Sequence, residues 1–452
     1  MADRSPPAGT PHRFGLRTLI ALVIGNAIGA GVFTTSGFAL ADLGSRSLVL
    51  WAWAVGGLVA LLGATSYGLL AQRLTESGGE YLYLSRSIHP LAGFIGGYVS
   101  LLAGFTGAIA LAASTFEAYA RAALPDSDFL ASLPVGSLAI GAIVLGGAVQ
   151  LVRSDLGGSF HDLVVALMLG GLLLFSAGAL AGLVTGRWAV GAPPSERTSF
   201  DLAAFAGSLV WISLSYSGFN AAVYVAGEAR DARRNVPRAM ILGTTITMIF
   251  YLVLNAVFVF APDATQITGR PEVAAIAAEA IGGSFLRHAV ELLIAASLLT
   301  SVTAMTIAGP RVYAKMAEDG ALPRWLRARE GAPPRSSIAL QVVLALLVVT
   351  IAGLRDLLSY LGFTLSLCLA LAVGSLFVRH VRRGERPASW TYPWAPALFL
   401  LSTLGFAGLS ASRQPVQLVA LAMVVGVGTL AWFLSLSGAA ATAPDLSEEG
   451  DG

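Results

Sequence analysis

Charge is what this chain has least of. Charged side chains account for 12% of its 452 residues, about half the share of roughly 25% usual in soluble domains. A water-facing surface of ordinary composition is excluded. There is one cysteine, Cys368, inside an apolar stretch, which excludes an intramolecular disulfide and a thiolate metal cluster. The five histidines are scattered and offer no metal-site spacing. The phosphate loop Gly-x-x-x-x-Gly-Lys-Ser/Thr, the His-Glu-x-x-His pair and the Gly-x-Ser-x-Gly elbow are all missing. ATP-driven pumping and hydrolytic chemistry therefore have no support, and no resident cofactor is indicated. An integral membrane enzyme would need clustered His or carboxylates at one interface, which the sequence does not supply.

What the chain has is apolar length. Hydrophobic residues make up 56% of it, gathered in blocks of about 20, each long enough to cross a hydrocarbon core of about 30 Å. Twelve spans read at 16–40, 48–72, 89–119, 134–152, 156–186, 200–225, 237–260, 287–313, 337–354, 357–378, 392–409 and 416–436. With both termini on one side, 20 of the Lys and Arg residues share that face and 8 share the other. By the positive-inside rule the termini are cytoplasmic and the chain is a multi-pass protein of the cytoplasmic membrane. The first apolar block is too long for a cleavable leader and lacks a small-residue processing site. Residues 1–15 read as a cytoplasmic tail and 438–452 as a disordered acidic one.

The first span is weakened in its middle by "IGNAIGAGVFTTSG", residues 24–37. Non-helical backbone at membrane depth survives only where protein surrounds it or where it lines a cavity, so an interruption there points to a site. Two half-helices expose N–H groups at one end and C=O groups at the other, suited to a carboxylate and to an ammonium or small cation. Glycines also permit backbone angles closed to other residues. The competing reading is a small-residue packing face between helices. A second polar, glycine-broken stretch, Ser213 to Asn220, interrupts the sixth span. Spans one and six open two five-span halves, 16–186 and 199–381, with helices eleven and twelve in 390–437. Interruptions at matching positions in two halves are a transporter signature, and an odd number of spans per half makes the repeat inverted.

Four segments then carry a family likeness: "GNAIGAGVF" (25–33), "SGGEYLYLSRSIHPLAGFIGGY" (77–98), "YSGFNAAVYVAGEARDARRNVPRAM" (216–240) and "GPRVYAKMAEDGALP" (309–323). In this order and spacing the chain resembles the amino acid–polyamine–organocation superfamily of permeases over nearly its whole length. The resemblance implies an all-α integral membrane fold of 12 transmembrane helices. It would be a 5+5 inverted repeat with discontinuous helices 1 and 6 and two peripheral helices, working by alternating access. It implies that Ile28, Gly29, Ala30, Gly31 and Val32 hold the carboxylate and amino group of an amino acid through main-chain atoms. Ser215, Tyr216, Ser217 and Gly218 face them, and Phe219 and Asn220 close the pocket wall. Homodimers through the last two helices occur among such permeases, while twelve spans also suffice for a monomer.

The chain departs from the family pattern twice. The usual Asn-Pro after helix six is Asp231-Ala232, and the lysine that many members carry in helix five is absent, its position falling near Gly170. Thr300 and Ser301, with carbonyls freed near Gly25, make an oxygen-only candidate Na⁺ site; hydroxyls bonded back to their own helix are the plainer reading. Proton coupling and exchange stay open beside it. Glu117 and Glu291 fall near outer span ends and read as interfacial contacts. His161 and Asp162, close to Arg153 and Asp155, read as partners of loop arginines, with a proton relay as the alternative. Glu80, Glu228 and Arg311, at cytoplasmic helix ends, suit a salt-bridged inner gate. Trp51, Trp53, Trp211, Trp390 and Trp394 read as interface anchors or packing. No acid lies within either interrupted segment, which favours neutral substrates. The rivals are an exchanger of amines or cationic amino acids and a sensor that binds an amino acid without moving it.

Overall fold

A computed structural model describes residues 14–76, 78–124, 127–152, 158–194, 200–318, 322–327, 334–384 and 386–441; the side chains of 152–165, 307–308, 315, 383 and 434–441 lie outside that description. The terminal tails, Arg153 and Asp155, and the side chains of His161 and Asp162 therefore stay as sequence expectations. Among the described residues there is no strand, only an isolated parallel bridge between Phe14 and Ala229. The fold is all-α, as the apolar blocks require.

The chain opens with α1 (Leu16–Ala27), α2 (Ala30–Leu43), α3 (Arg46–Ala71), the short α4 (Gly79–Ser87) and α5 (Pro90–Val99). A π-helical stretch, Ser100–Gly107, joins α5 to α6 (Ala108–Ala123), followed by α7 (Asp128–Ser132), α8 (Ser137–Val152) and α9 (Gly158–Val184). The second half runs through α10 (Leu202–Tyr216), a 3₁₀ segment Ser217–Glu228, α11 (Ala232–Phe260), α12 (Ala264–Ile267) and α13 (Val273–Glu318). Last come α14 (Arg335–Ile351), α15 (Leu354–Arg383), α16 (Trp394–Arg413) and α17 (Val416–Ala441). Nine stretches of described helix are long and apolar enough to cross a membrane, the bent pair α1–α2 makes a tenth, and Ser137–Leu151 and Arg335–Ile351 are shorter apolar helices. These two shorter helices occupy the places of the fourth and ninth expected spans.

Helix ends follow local chemistry. Asp201 caps α10 by accepting from Ala203 N at 2.9 Å and Ala204 N at 3.0 Å, and Pro90 opens α5, where its missing N–H costs nothing. Inside the bundle α11 lies along α3, α13 along α6, and α1 against α11 and the 3₁₀ segment. Trp53, Tyr67, Tyr119, Tyr251 and Phe258 are fully buried in this core. Trp53 and Trp211 are thus packing residues, whereas Trp51, Trp390 and Trp394 lie on the exterior.

Candidate functional site

The first interruption is a true break. Ile28 (φ −79°, ψ 102°) and Gly29 (φ −143°, ψ −163°) are extended, ending α1 and starting α2 with a bend of 43° between them. No side chain caps the N-terminus of α2, although Ala30, Gly31 and Val32 in its first turn are buried. Those N–H groups have no helical acceptor. Gly29 does not need the angles that only glycine reaches, since extended backbone suits any residue. What it has is room: a Cβ on Gly25 or Gly29 would meet nothing within 4 Å.

The second interruption is a change of helix type. At Ser217 the α-helix tightens into the 3₁₀ segment, which shifts hydrogen bonding from i+4 to i+3 and alters the acceptors at the junction. The two interruptions meet. A Cβ on Gly218 would sit 2.4 Å from Ala27 N and 2.5 Å from Asn26 C, and one on Gly31 would sit 2.5 Å from Ser215 Oγ. Between them stands Tyr251 of α11, whose hydroxyl lies 2.7 Å from Ala27 O and 3.2 Å from Ser215 O. One phenolic proton therefore serves a carbonyl at each interruption. Sequence reasoning did not find Tyr251, because a tyrosine in an apolar helix has no local mark of such a role. The site thus has a packed side, at Gly31 and Gly218, and an open side, at Gly25, Gly29 and the exposed Asn26.

A family model described as amino acid permease matches residues 14–443. The chain belongs to the amino acid permease family. Among curated relatives, this permease is similar to the human large neutral amino acids transporter small subunit 2, 24% identical over 85% of this chain and 74% of the relative. It is similar to the human cystine/glutamate transporter, 26% identical over 88% and 79%. The serine/threonine exchanger SteT of Bacillus subtilis (strain 168) is 25% identical over 88% and 90%. These are transport proteins by name, and the family agrees with the absence of enzyme motifs.

The remaining expected residues of the permease have the following places. Tyr216 packs edge-on to Trp53 and tilted to Tyr251, with ring centroids at 5.9 and 5.0 Å. Phe219 turns toward α3, edge-on to Tyr67 at 5.5 Å, and Ser217 Oγ donates to Leu214 O at 2.7 Å. Thr300 and Ser301 both donate to Ser297 O, at 2.7 and 3.0 Å, the bonding back to their own helix that hydroxyls in apolar helices favour. At Gly170, where the family lysine is absent, a Cβ would meet open space. Asp231 takes the left-handed conformation, φ 45°, which Asp and Asn share, so the altered Asp-Ala turn keeps a residue suited to it. Glu117 is a helix cap as well as an ion pair: it accepts from Arg121 Nε at 2.7 Å, Gly136 N at 2.9 Å and Ala139 N at 3.1 Å. Glu291 accepts from Arg287 Nε at 2.7 Å.

The expected gate residues are dispersed, and one of them reaches the site. The Glu228 carbonyl accepts from Phe14 N at 3.2 Å, and Arg230 N donates to Phe14 O at 2.9 Å, tying the start of the described chain to the end of the 3₁₀ segment. Arg311 lies on α13, exposed. Glu80 is buried, and its carboxylate accepts from Tyr67 Oη (2.8 Å), Asn220 Nδ2 (2.6 Å) and Tyr224 Oη (2.6 Å). The sequence places no acid inside the interrupted segments; the fold brings one to the second of them from 140 residues away. A gate built on Glu80 in this state is hydrogen-bonded to neutral donors.

Proposed function

We propose that this permease is a secondary transporter of neutral amino acids in the cytoplasmic membrane, with both termini cytoplasmic, working by alternating access between two inverted five-span halves. One observation carries the reading: a buried helix N-terminus without a side-chain cap, at Ala30 to Val32, lies beside the second interrupted span, with Gly31 against the Ser215 side chain and Gly218 against the backbone of Asn26 and Ala27. The free N–H groups suit the substrate carboxylate, and the carbonyl end of α1 at Gly25 and Asn26 suits its ammonium. Ser215, Ser217 and Gly218 form the opposite wall. Glu80 is buried and already accepts from three donors, which disfavours it in this state as the counter-charge of a cationic side chain. Two of the three relatives are named for neutral substrates, large neutral amino acids and serine or threonine, and the third for cystine and glutamate; the first two favour the neutral class.

The test is uptake of a labelled mixture of neutral L-amino acids into proteoliposomes, competed by each common amino acid in turn, with empty and preloaded vesicles. Neutral competitors should block accumulation and arginine, lysine and amines should not. Binding without time-dependent accumulation would mean a sensor, and dominant competition by cations would mean the amine exchanger. Replacing Na⁺ with choline, then collapsing the pH gradient, separates a Gly25, Thr300 and Ser301 ion site from proton coupling.

A further inference from the structure

We propose that Glu80 is a proton-binding site whose occupancy couples to opening of the inner end of the transport path. The inference rests on the transporter reading and supplies its coupling ion. Glu80 stands in the first turn of α4 and is 4% exposed. Burying an ionised carboxylate costs several kcal/mol unless its oxygens are satisfied, and here three donors satisfy them. All three are neutral: among the described residues no Arg, Lys or His nitrogen lies within 4.0 Å of this carboxylate.

The groups around it are few. Titratable neighbours are Tyr67 of α3, Tyr83 of α4, Tyr224 of the 3₁₀ segment and Cys368 of α15. From α5 the facing residue is Gly96. Of the described cations on packed elements, Arg86 of α4 pairs with Glu76 at 3.4 Å and Arg379 of α15 donates to Ser87 at 3.4 Å. A proton has a route to the carboxylate, because Tyr224 is 46% exposed while its hydroxyl donates to Glu80. The glycine pair before Glu80 makes that approach possible: Gly79 has φ +54°, and a Cβ there would lie 2.4 Å from the Tyr224 ring.

Two of the three donors, Asn220 and Tyr224, sit on the 3₁₀ segment that continues from the substrate wall. Protonation replaces an acceptor-only group by one carrying its own O–H, which no longer matches three converging donors, and so releases that segment. Conversely, movement of the segment removes two of the three bonds that hold the carboxylate, those from Asn220 and Tyr224. Proton binding and inner opening are therefore reciprocal.

The test uses purified full-length protein in vesicles loaded with labelled neutral L-amino acids, measuring efflux as internal pH falls at fixed external pH. Wild-type efflux should rise about tenfold, the effect of losing one charge-assisted hydrogen bond. Glu80→Gln should be insensitive to pH, and Glu80→Asp should restore a pH dependence. Independently of transport, infrared difference spectra should show a protonated carboxylic acid band on acidification that Glu80→Gln lacks. A wild-type pH slope retained in Glu80→Gln, or an acid band unchanged by that substitution, overturns the proposal. Vesicles that move none of the amino acids at any pH overturn the transporter reading instead, leaving the spectra to decide on Glu80.

Discussion

Glycine does different work at three positions around the interruptions, and the difference is measurable. At Gly218 a Cβ would collide with backbone at 2.4 Å, and backbone cannot rotate away. Overpacking of this kind costs about 1–3 kcal/mol, so Gly218→Ala should lower the unfolding temperature and abolish uptake by separating the two spans. At Gly31 the obstacle is the Ser215 side chain at 2.5 Å, which can turn. At Gly29 there is open space and extended backbone. Gly29→Ala should therefore unfold at the wild-type temperature and show its effect as a raised KM, because the methyl group enters the volume assigned to the substrate. Equal thermal loss in both variants would remove the distinction between packed and open sides. The glycine runs themselves are plain in the sequence. The opposition of Glu80 to Asn220 is not, because residues 140 apart meet only through the packing of α4 against the 3₁₀ segment.

Elements clasp one another also at the end that the proposed orientation makes the outer one. Arg355, in the first turn of α15, pairs with Asp42 near the end of α2 and lies 5.1 Å over the Trp211 ring of α10. Trp211 Nε1 in turn donates to Ser359 Oγ at 2.8 Å. Both interrupted spans are thus tied to α15 above the site, beside a polar cavity of about 240 Å³ lined by Ala203 and Gly207. A partly exposed ion pair contributes about 0–1 kcal/mol and a cation–π contact about 0.5–1 kcal/mol. Together these are about 0.5–2 kcal/mol, so Arg355→Gln should make that end open about two- to thirtyfold more often. In a Cys368→Ser background, Ala203→Cys should react faster by that factor with an impermeant maleimide added outside; an unchanged rate would mean that the clasp does not hold the outer end. Helix positions were legible because apolar blocks of membrane length leave few other readings. Helix type was not: the 3₁₀ segment and the π-helical Ser100–Gly107 lie in spans apolar on most sides, where the contrast that reports periodicity is missing.

Across the whole molecule, contacts sort the chain ends and loops into two groups that never mix among the pairs described here. Arg46 donates to Gly191 O and Pro262 O, both at 2.7 Å, and Arg413 pairs with Asp201 at 3.0 Å. With Asp42 and Arg355, these residues form one end. Phe14 bonds Glu228 and Arg230, and Arg73 donates to Arg386 O at 2.6 Å. These form the other end. If each group lies on one face of a membrane, the number of crossings between any two of its members must be even, and between members of opposite groups odd. The twelve-span reading satisfies both conditions at every one of these contacts; a single added or missing crossing between Phe14 and Arg413 would violate them. By the positive-inside rule the arginine excess favours the proposed orientation, with the Phe14 and Arg386 end cytoplasmic. In intact cells carrying the Cys368→Ser background, Ser412→Cys should be labelled by an impermeant reagent and Arg386→Cys only after permeabilisation. The reverse pattern would invert the orientation while keeping the parity. Labelling of both positions from outside would break the parity itself, and with it the pairing of the two interrupted spans as mirror elements of opposite direction.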